Sequence, residues 1–352
     1  MEELNRIRFK YDIHNEESKD NSFGLDPLRD NLYQNALLID SKSTPLLDQK
    51  LKGIYEKFGI DSSNISAFIS QSHEIQASCI SVGTNGCILT FTSALLNLLD
   101  IDEFAFVAGH ELGHHIYDHC RISIDKESAD YFMQMRAQEI SVDRIGLLSA
   151  GDLDVSIRAL MKTATGLNSK FLSFDVGQFI SQIKKVSKYD FDKSLNNTHP
   201  SMMIRCKALL WFNLCNSNAS FPLKINNEEL DKMNERVQSD LLKFVDGPVQ
   251  EKISKLSNEV KMWSAVILIM EDQKFDKNEQ AEFSKAFGKE ALEKVIGFLK
   301  LHDRNSVINA LEDRLKNCSE NLLDLSPNSY AKLKGAKLRD TLRPFINKDF
   351  TH

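Results

Sequence analysis

Strand signals are confined to one short stretch of this sequence, and that restriction most limits the fold. Three apolar runs rich in Ile, Val, Phe, Thr and Cys occupy residues 65–70, 75–82 and 87–92, a composition that predicts strands. The last two runs are joined by the sequence GTNG at 83–86, and an Asn-Gly pair between apolar runs predicts a hairpin. Nearly everything after this stretch has helical spacing, so we expect an α+β fold with a small sheet against many helices.

Helical periodicity covers most of the remaining chain. One amphipathic stretch runs from Pro45 to Gly59, since proline favours the first turn and glycine the end of a helix. With 7 Pro and 15 Gly in 352 residues, few positions interrupt regular elements. The spacing predicts further helices over residues 93–99, 102–119, 126–149, 153–165, 175–188, 199–215, 228–245, 248–271, 278–287, 289–301, 305–323 and 328–345.

The length of 352 residues is typical of two domains. Residues 1–44 are polar and predict a loose N-terminal arm. A composition rich in Asn and Ser begins at residue 216 and predicts a linker. We therefore expect a first domain over 45–222 and an all-helical C-terminal domain over 223–352.

Charge and hydropathy exclude several classes of protein. Lys and Arg number 44 against 50 Asp and Glu, a net charge of −6 that provides no basic surplus for nucleic acid. Apolar runs fall far short of the roughly 20 residues of a membrane helix, and the first 30 residues lack the apolar core of a signal peptide. The 6 Cys are scattered without a CxxC pair, as is typical of reduced thiols. These features predict a cytoplasmic protein without membrane insertion.

Residues 110–114 read His-Glu-Leu-Gly-His. On a helix, His110 and His114 lie about 40° apart around the axis, so both imidazoles can bind one cation. Glu111 then faces whatever the metal binds and is the candidate general base. Asp100 and Asp102 precede this run and predict the start of the helix. The alternative is a surface helix that happens to contain two histidines.

A third ligand would strengthen the metal interpretation. In one zinc-peptidase pattern a glycine breaks the helix and a third histidine follows, but Tyr117 and Cys120 occupy those positions here. His115 and His119 lie about 140° and 180° around the helix from His110. We therefore expect these two histidines to be solvated or to make polar contacts in a second layer.

A carboxylate from the next helix is the other source of a third ligand. Glu139 and Asp143 are spaced i, i+4 on one helical face. Glu139 would complete a two-histidine, one-glutamate site with a fourth position for water, and Asp143 would orient a ligand histidine through its other ring nitrogen. An ordinary solvated acid pair is the alternative, and Glu127 and Asp130 are rival ligands that come early in the helix.

A further polar motif lies at residues 197–201, which read Asn-Thr-His-Pro-Ser. Pro200 and the polar residues before it predict a helix start, with His199 exposed at the opening of the cleft. Arg205 follows on this helix, and we expect it to pair with a buried acid such as Asp143.

These separated motifs together resemble the HtpX/CAAX-prenyl-protease (Ste-type, Oma-like) family of gluzincin zinc metallopeptidases. The similarity covers roughly residues 45–215 and includes the segment 86–99. It implies a zincin-like core with a small sheet on the HExxH helix, and one Zn²⁺ per chain on His110, His114 and Glu139. It also implies that His199 stabilises the charge that develops on the substrate oxygen. Many members have transmembrane helices around this core, so this chain resembles a soluble member.

A weaker similarity links residues 245–325 to TerB-like helical domains, through Trp263, the acidic turn at 271–279 and Gly288. The turn does not fit an EF-hand, because its sixth and twelfth positions counted from Asp272 are Lys277 and Phe283. We predict no metal there.

The sequence therefore predicts a zinc-dependent endopeptidase that acts on protein or peptide substrates. An extended substrate would add to the sheet edge formed by residues 75–82. One alternative is a zinc-stabilised binding scaffold that does not cleave. Another is a peptidase kept latent by its own arm or by its C-terminal module, which could also bind a regulatory partner.

Overall fold

The computed structural model describes residues 1–12, 25–82, 86–119, 128–172, 199–216, 221–242, 247–270, 274–302 and 306–334, with Ser181, Leu338 and Leu342. In these ranges the strands are β1 (Leu37–Leu38), β2 (Ile65–Ser70), β3 (Ala77–Val82) and β4 (Gly86–Thr92). The helices are α1 (Glu2–Arg6), α2 (Leu25–Asn35), α3 (Pro45–Phe58), α4 (Ser93–Leu98), α5 (Ile101–Ile116), α6 (Ala129–Ala150), α7 (Leu153–Thr165), α8 (Met202–Cys215), α9 (Asn227–Leu241), α10 (Gly247–Ile269), α11 (Lys277–Phe287), α12 (Lys289–Lys300), α13 (Val307–Leu325) and α14 (Pro327–Lys332).

The four strands form one small sheet in the order β1-β2-β4-β3. Strand β4 pairs parallel with β2 and antiparallel with β3, with Val82 opposite Gly86. This pairing is the one that a hairpin requires, although its turn at 83–85 lies outside the described residues. Strand β3 is the last strand in the order and therefore forms one edge of the sheet. A small sheet among many helices confirms the α+β prediction.

Several described elements begin and end where local chemistry favours it. The side chain of Asp100 accepts hydrogen bonds from the backbone N–H groups of Asp102 and Glu103, and the carboxylate of Glu103 accepts one from the Asp100 N–H. This capping box fixes the start of α5. Helix α3 begins with Pro45 and ends at Gly59, whose φ of 64° is left-handed and favours glycine.

The expectation of a loose N-terminal arm is wrong for the first segment of the chain. Leu4 and Ile7 are fully buried in the main hydrophobic core, and Phe9 is 1% exposed. The hydroxyl of Tyr117 donates to the carbonyl of Leu4 over 2.7 Å. The few apolar residues at 4, 7 and 9 are too short a pattern to stand out among polar neighbours, yet all of them are buried.

The described residues also place the domain boundary later than the sequence suggested. The chain forms two compact units, residues 1–124 with 132–245 and residues 125–131 with 246–352. Helix α9 belongs to the first unit, because its Leu230 and Met233 are buried in the main core. The polar residues near 216–222 thus lie between two helices of one unit rather than between domains.

The secondary-structure elements described in the second unit are all helices. Trp263 of α10 is 1% exposed and lies 4.9 Å from the ring of Phe298. In the acidic turn, Asp276 caps α11 by accepting from the N–H groups of Asn278 and Glu279, so helix capping accounts for that acid. Asp272 lies outside the described residues.

Some sequence predictions fall on residues that the structure does not describe. They include the helix at 175–188, apart from Ser181, and the part of the 328–345 helix beyond residue 334, apart from Leu338 and Leu342. The residues Cys120, Glu127, Asn197 and Thr198 also lie outside the described ranges. Of the helices in the described ranges, none is both long enough and apolar enough to cross a membrane.

Candidate active site

Helix α5 is largely buried within the first unit, and Glu111 is the exception in its central part. All residues from Glu103 to Gly113 are buried except Glu111, which is partly exposed. The two flanking histidines share this face, with His110 8% exposed and His114 more open. A helix buried on nearly every side therefore presents a carboxylate between two imidazoles to solvent.

The structure brings Glu139 of α6 onto this pair of histidines. Glu139 Oε2 lies 3.5 Å from His110 Nε2, and Oε1 lies 3.5 Å from His114 Nε2. One ligand atom from each residue lies within 4.8 Å of the others. Oε2 of Glu139 is buried and has no hydrogen-bond partner within the described part of the chain.

These residues fit a zinc ion. Two imidazole nitrogens and a carboxylate oxygen are a common donor set for catalytic zinc, and ligands at 2.0–2.1 Å from a tetrahedral ion are about 3.4 Å apart. Each imidazole Nε2 lies 3.5 Å from one of the two Glu139 oxygens, which is close to that value. A buried carboxylate oxygen without a hydrogen bond is costly, and a cation between the three side chains would satisfy it.

Asp143 and Arg205 support the first histidine. Asp143 Oδ1 lies 2.9 Å from His110 Nδ1, and Arg205 donates to both carboxylate oxygens of Asp143 over 2.8 Å and 2.6 Å. Since an ionised carboxylate only accepts, Nδ1 of His110 carries the proton and Nε2 presents its lone pair toward Glu139. Arg205 also lies 3.4 Å from Glu139 Oε2.

Buried charges shift the pKa values of these groups. Burial raises the pKa of Glu139 and of Asp143, but the positive charge of Arg205 outweighs it and both pKa values lie below their usual range. Burial lowers the pKa of His114, but the nearby negative charge of Glu139 outweighs that effect, so the pKa of His114 lies above its usual value. The two acids are therefore ionised at neutral pH and supply the negative charge that a divalent cation requires.

The second histidine has its own buried neighbours. His114 Nδ1 lies 3.0 Å from His119 Nδ1, and His119 Nε2 lies 3.0 Å from Asp12 Oδ2. Of the two expectations for His119, solvation or polar contact in a second layer, these contacts and its 6% exposure agree with the second. Burial lowers the pKa of His119 to about 4, although the hydrogen bond and charge of Asp12 act in the opposite direction.

The remaining predicted residues lie in different surroundings. His199 Nε2 is 3.5 Å from Glu139 Oε1, and its side chain is 62% exposed. His115 Nδ1 lies 3.3 Å from the hydroxyl of Ser81 on β3. Asp130, the rival ligand, accepts hydrogen bonds from Ser326 Oγ and the N–H of Asn328, so both of its oxygens are already occupied.

Sequence reasoning missed Asp12 as a contributor to the site. It lies 107 residues before the histidine that it contacts, in a stretch without periodicity. The only nearby sequence feature that relates to Asp12 is Arg8, four residues earlier, whose guanidinium donates hydrogen bonds to both oxygens of Asp12. Such a spacing is common on protein surfaces and does not identify a buried acid.

Comparison with known proteins finds a partial match to one family. Residues 41–135 match the model of Peptidase family M48. This segment is about a quarter of the chain; it contains the residues from His110 to His114 and ends before Glu139. No curated protein and no solved structure matches the chain. This partial match supports a relation of the chain to the M48 family of peptidases, whose members are typically zinc-dependent.

Proposed function

We propose that this chain is a zinc-dependent endopeptidase that hydrolyses peptide bonds in protein substrates. The observation that supports this most strongly is the position of Glu111. It is the one residue within 103–113 of α5 that is not buried, and it lies between two histidines whose Nε2 atoms are each 3.5 Å from an oxygen of Glu139.

His110, His114 and Glu139 would bind the ion through two imidazole nitrogens and one carboxylate. Zinc in such a site supplies Lewis acidity toward a water molecule and the carbonyl of the scissile bond. Glu111 accepts a proton from the attacking water and later donates it to the departing amine. Asp143, clamped by Arg205, keeps His110 in the tautomer that can bind metal.

His199 is proposed to stabilise the carbonyl oxygen as negative charge develops on it. Its ring is near Glu139 but mostly exposed, so it can reach a substrate on the open side of the site. A donor that contacts only the developing charge lowers the barrier without tightening substrate binding.

The edge strand β3 is the proposed docking site for an extended substrate. Its Ser81 contacts His115, the residue after the second proposed ligand, so β3 passes beside the end of α5. In the described sheet β3 has β4 as its only strand neighbour, and a peptide can pair with such an edge through its backbone.

The finer family assignment is also part of the proposal. The similarity to HtpX/CAAX-prenyl proteases rests on the run from His110 to His114 together with Glu139, Asp143, His199 and Arg205. Each of the last three lies within hydrogen-bonding or near-contact distance of another residue of this set. A TerB-like nature of the second unit rests on its described helices and on the residues around Trp263.

Metal analysis combined with proteolysis tests this function. Purified full-length protein should contain about one zinc per chain and cleave a mixture of unstructured peptides, and a chelator should abolish cleavage until zinc is restored. Glu139→Ala should lose most of the zinc, whereas Asp130→Asn should retain it. Full zinc in Glu139→Ala, with loss in Asp130→Asn or Glu127→Ala, would show that the ligand assignment is wrong.

A further inference from the structure

A buried line of polar contacts connects the N-terminal segment to His114. His114 Nδ1 and His119 Nδ1 are 3.0 Å apart, and His119 Nε2 is 3.0 Å from Asp12 Oδ2. The side chains of His119 and Asp12 are 2% and 0% exposed. Two ring nitrogens at this distance form a hydrogen bond only when one has the proton and the other has a free lone pair.

Asp12 determines which nitrogen has the proton. Its oxygens also accept hydrogen bonds from Gln134 Nε2 and Ser141 Oγ, and the guanidinium of Arg8 contacts both of them. An acid surrounded by donors is ionised and can only accept. The Nε2 atom of His119 must therefore be the protonated one.

The direction of the remaining bond follows from that assignment. In a neutral imidazole with its proton on Nε2, Nδ1 is an acceptor. The contact between the two rings is then a hydrogen bond from Nδ1–H of His114 to Nδ1 of His119. His114 Nε2 is left with its lone pair free, at 3.5 Å from Glu139 Oε1.

The backbone after α5 makes this contact feasible. On a continuous helix His119 would lie far around the axis from the first ligand, but α5 ends at Ile116. Asp118 then adopts a left-handed conformation with φ of 55°, which Asp tolerates better than most residues. The chain turns there, and His119 returns toward His114. The bond from Tyr117 to Leu4 fixes the same turn against the N-terminal segment.

We propose that Asp12 and His119 are positioning residues that hold His114 in the tautomer whose Nε2 can bind metal. His110 is oriented by an acid directly, whereas His114 is oriented by an acid acting through a second imidazole. This inference rests on the proposed zinc function and assigns the N-terminal segment a part in the metal site.

Zinc affinity, measured by competition with a chromophoric chelator, tests the proposal on the full-length chain. His119→Leu removes the acceptor for His114 and should weaken zinc binding by about 10–100-fold. His119→Asn places an amide oxygen where Nδ1 was and should restore most of the affinity. Asp12→Asn should weaken binding by several-fold, and Lys10→Ala, which alters an exposed ion pair of the same segment, should not change it.

Two further measurements distinguish a positioning role of His119 from a purely structural one. If His119 only stabilised the fold, Leu and Asn variants would both lower the melting temperature of the metal-free protein and leave the zinc affinity of the folded protein unchanged. Nitrogen NMR of metal-free wild type at mildly alkaline pH needs no variant, and should show the proton on Nδ1 of His114 and on Nε2 of His119.

The outcomes distinguish this inference from the proposed function. Wild-type zinc affinity in His119→Leu, or an Nε2-protonated His114 in the metal-free wild type, would overturn the positioning role while the zinc site stands. Failure of the wild type itself to bind zinc would overturn the proposed function and this inference together.

Discussion

Each proposed histidine ligand has its second ring nitrogen occupied by a buried group. Nδ1 of His110 contacts Asp143 and Nδ1 of His114 contacts His119. The Nε2 atoms of both rings therefore face Glu139. Spacing along the sequence predicted the pair of histidines and both acids of α6, because an i, i+4 relation is set by helix geometry alone. It could not predict Asp12, since contacts between distant segments depend on how the chain folds.

His199 provides a prediction at this scale. Because its side chain is 62% exposed, His199→Ala should keep its zinc and its melting temperature. Loss of a donor to the developing charge should lower kcat by about 10²–10³-fold with little change in KM. Steady-state kinetics and thermal melting measure both. A marked drop in melting temperature with kcat intact would remove His199 from the site.

Asp12 gives a prediction about pH. Burial raises its pKa, but His119 and Arg8 outweigh that effect and lower the pKa below 3.8. An acid whose pKa is lower in the folded state stabilises the fold above its unfolded pKa, and this stabilisation is lost as the pH falls. Asp12→Asn should therefore reduce the free energy of unfolding by roughly 1.5–3 kcal/mol at neutral pH.

The measurement is urea unfolding of metal-free wild type and variant over a range of pH. The difference between them should be constant at neutral pH and shrink as the pH falls below 3.8. A difference that grows toward acid would contradict the assignment of Asp12 as an ionised acceptor.

At the scale of elements, the site depends on a close approach of α5 and α6. A Cβ atom on Gly113 would lie 3.0 Å from Val142, and one on Gly146 would lie 2.8 Å from the carbonyl oxygen of Phe106. These contacts are tighter than ordinary packing allows, so the two helices meet through glycine. Periodicity predicted both helices but not their separation, because small residues add nothing to a hydrophobic pattern.

A pair of glycine substitutions tests this packing. Gly146→Ala should destabilise the protein by about 1–3 kcal/mol, because its new methyl group meets backbone that cannot move freely. Gly53→Ala in α3 has no neighbour within 4 Å of the added atom and should stabilise by about 0.5–1 kcal/mol through helix propensity. Urea unfolding compares the two. Equal effects would show that α5 and α6 tolerate a wider separation.

At the scale of the whole molecule, the division into a sheet-containing unit and a helical unit was predictable from where strand signals occur. The boundary between the units was not predictable from the sequence. Leu230 and Met233 of α9 are buried in the first unit, and the apolar periodicity of a helix does not show which of two cores that helix packs against. The N-terminal segment was missed for a related reason. Its apolar residues are too few for a periodic signal, although Leu4 and Ile7 are fully buried.

Two leucines test the place of the N-terminal segment in the core. Leu4 is fully buried and Leu46 is 61% exposed. Leu4→Ala should lower the free energy of unfolding by about 2–5 kcal/mol, and Leu46→Ala should change it by less than about 0.5 kcal/mol. Similar small effects for both would mean that the first residues are not part of the cooperative unit.

The most direct test of a zinc peptidase at this site is a comparison of wild type with Glu111→Gln, with zinc content and peptide cleavage measured on the same preparations. The amide keeps the shape of the side chain and leaves the three proposed ligands in place, but it cannot accept the proton of the attacking water. The variant should therefore contain as much zinc as wild type and cleave about 10²–10⁴-fold more slowly. Equal rates of cleavage, or no cleavage by zinc-loaded wild type, would contradict the proposed function.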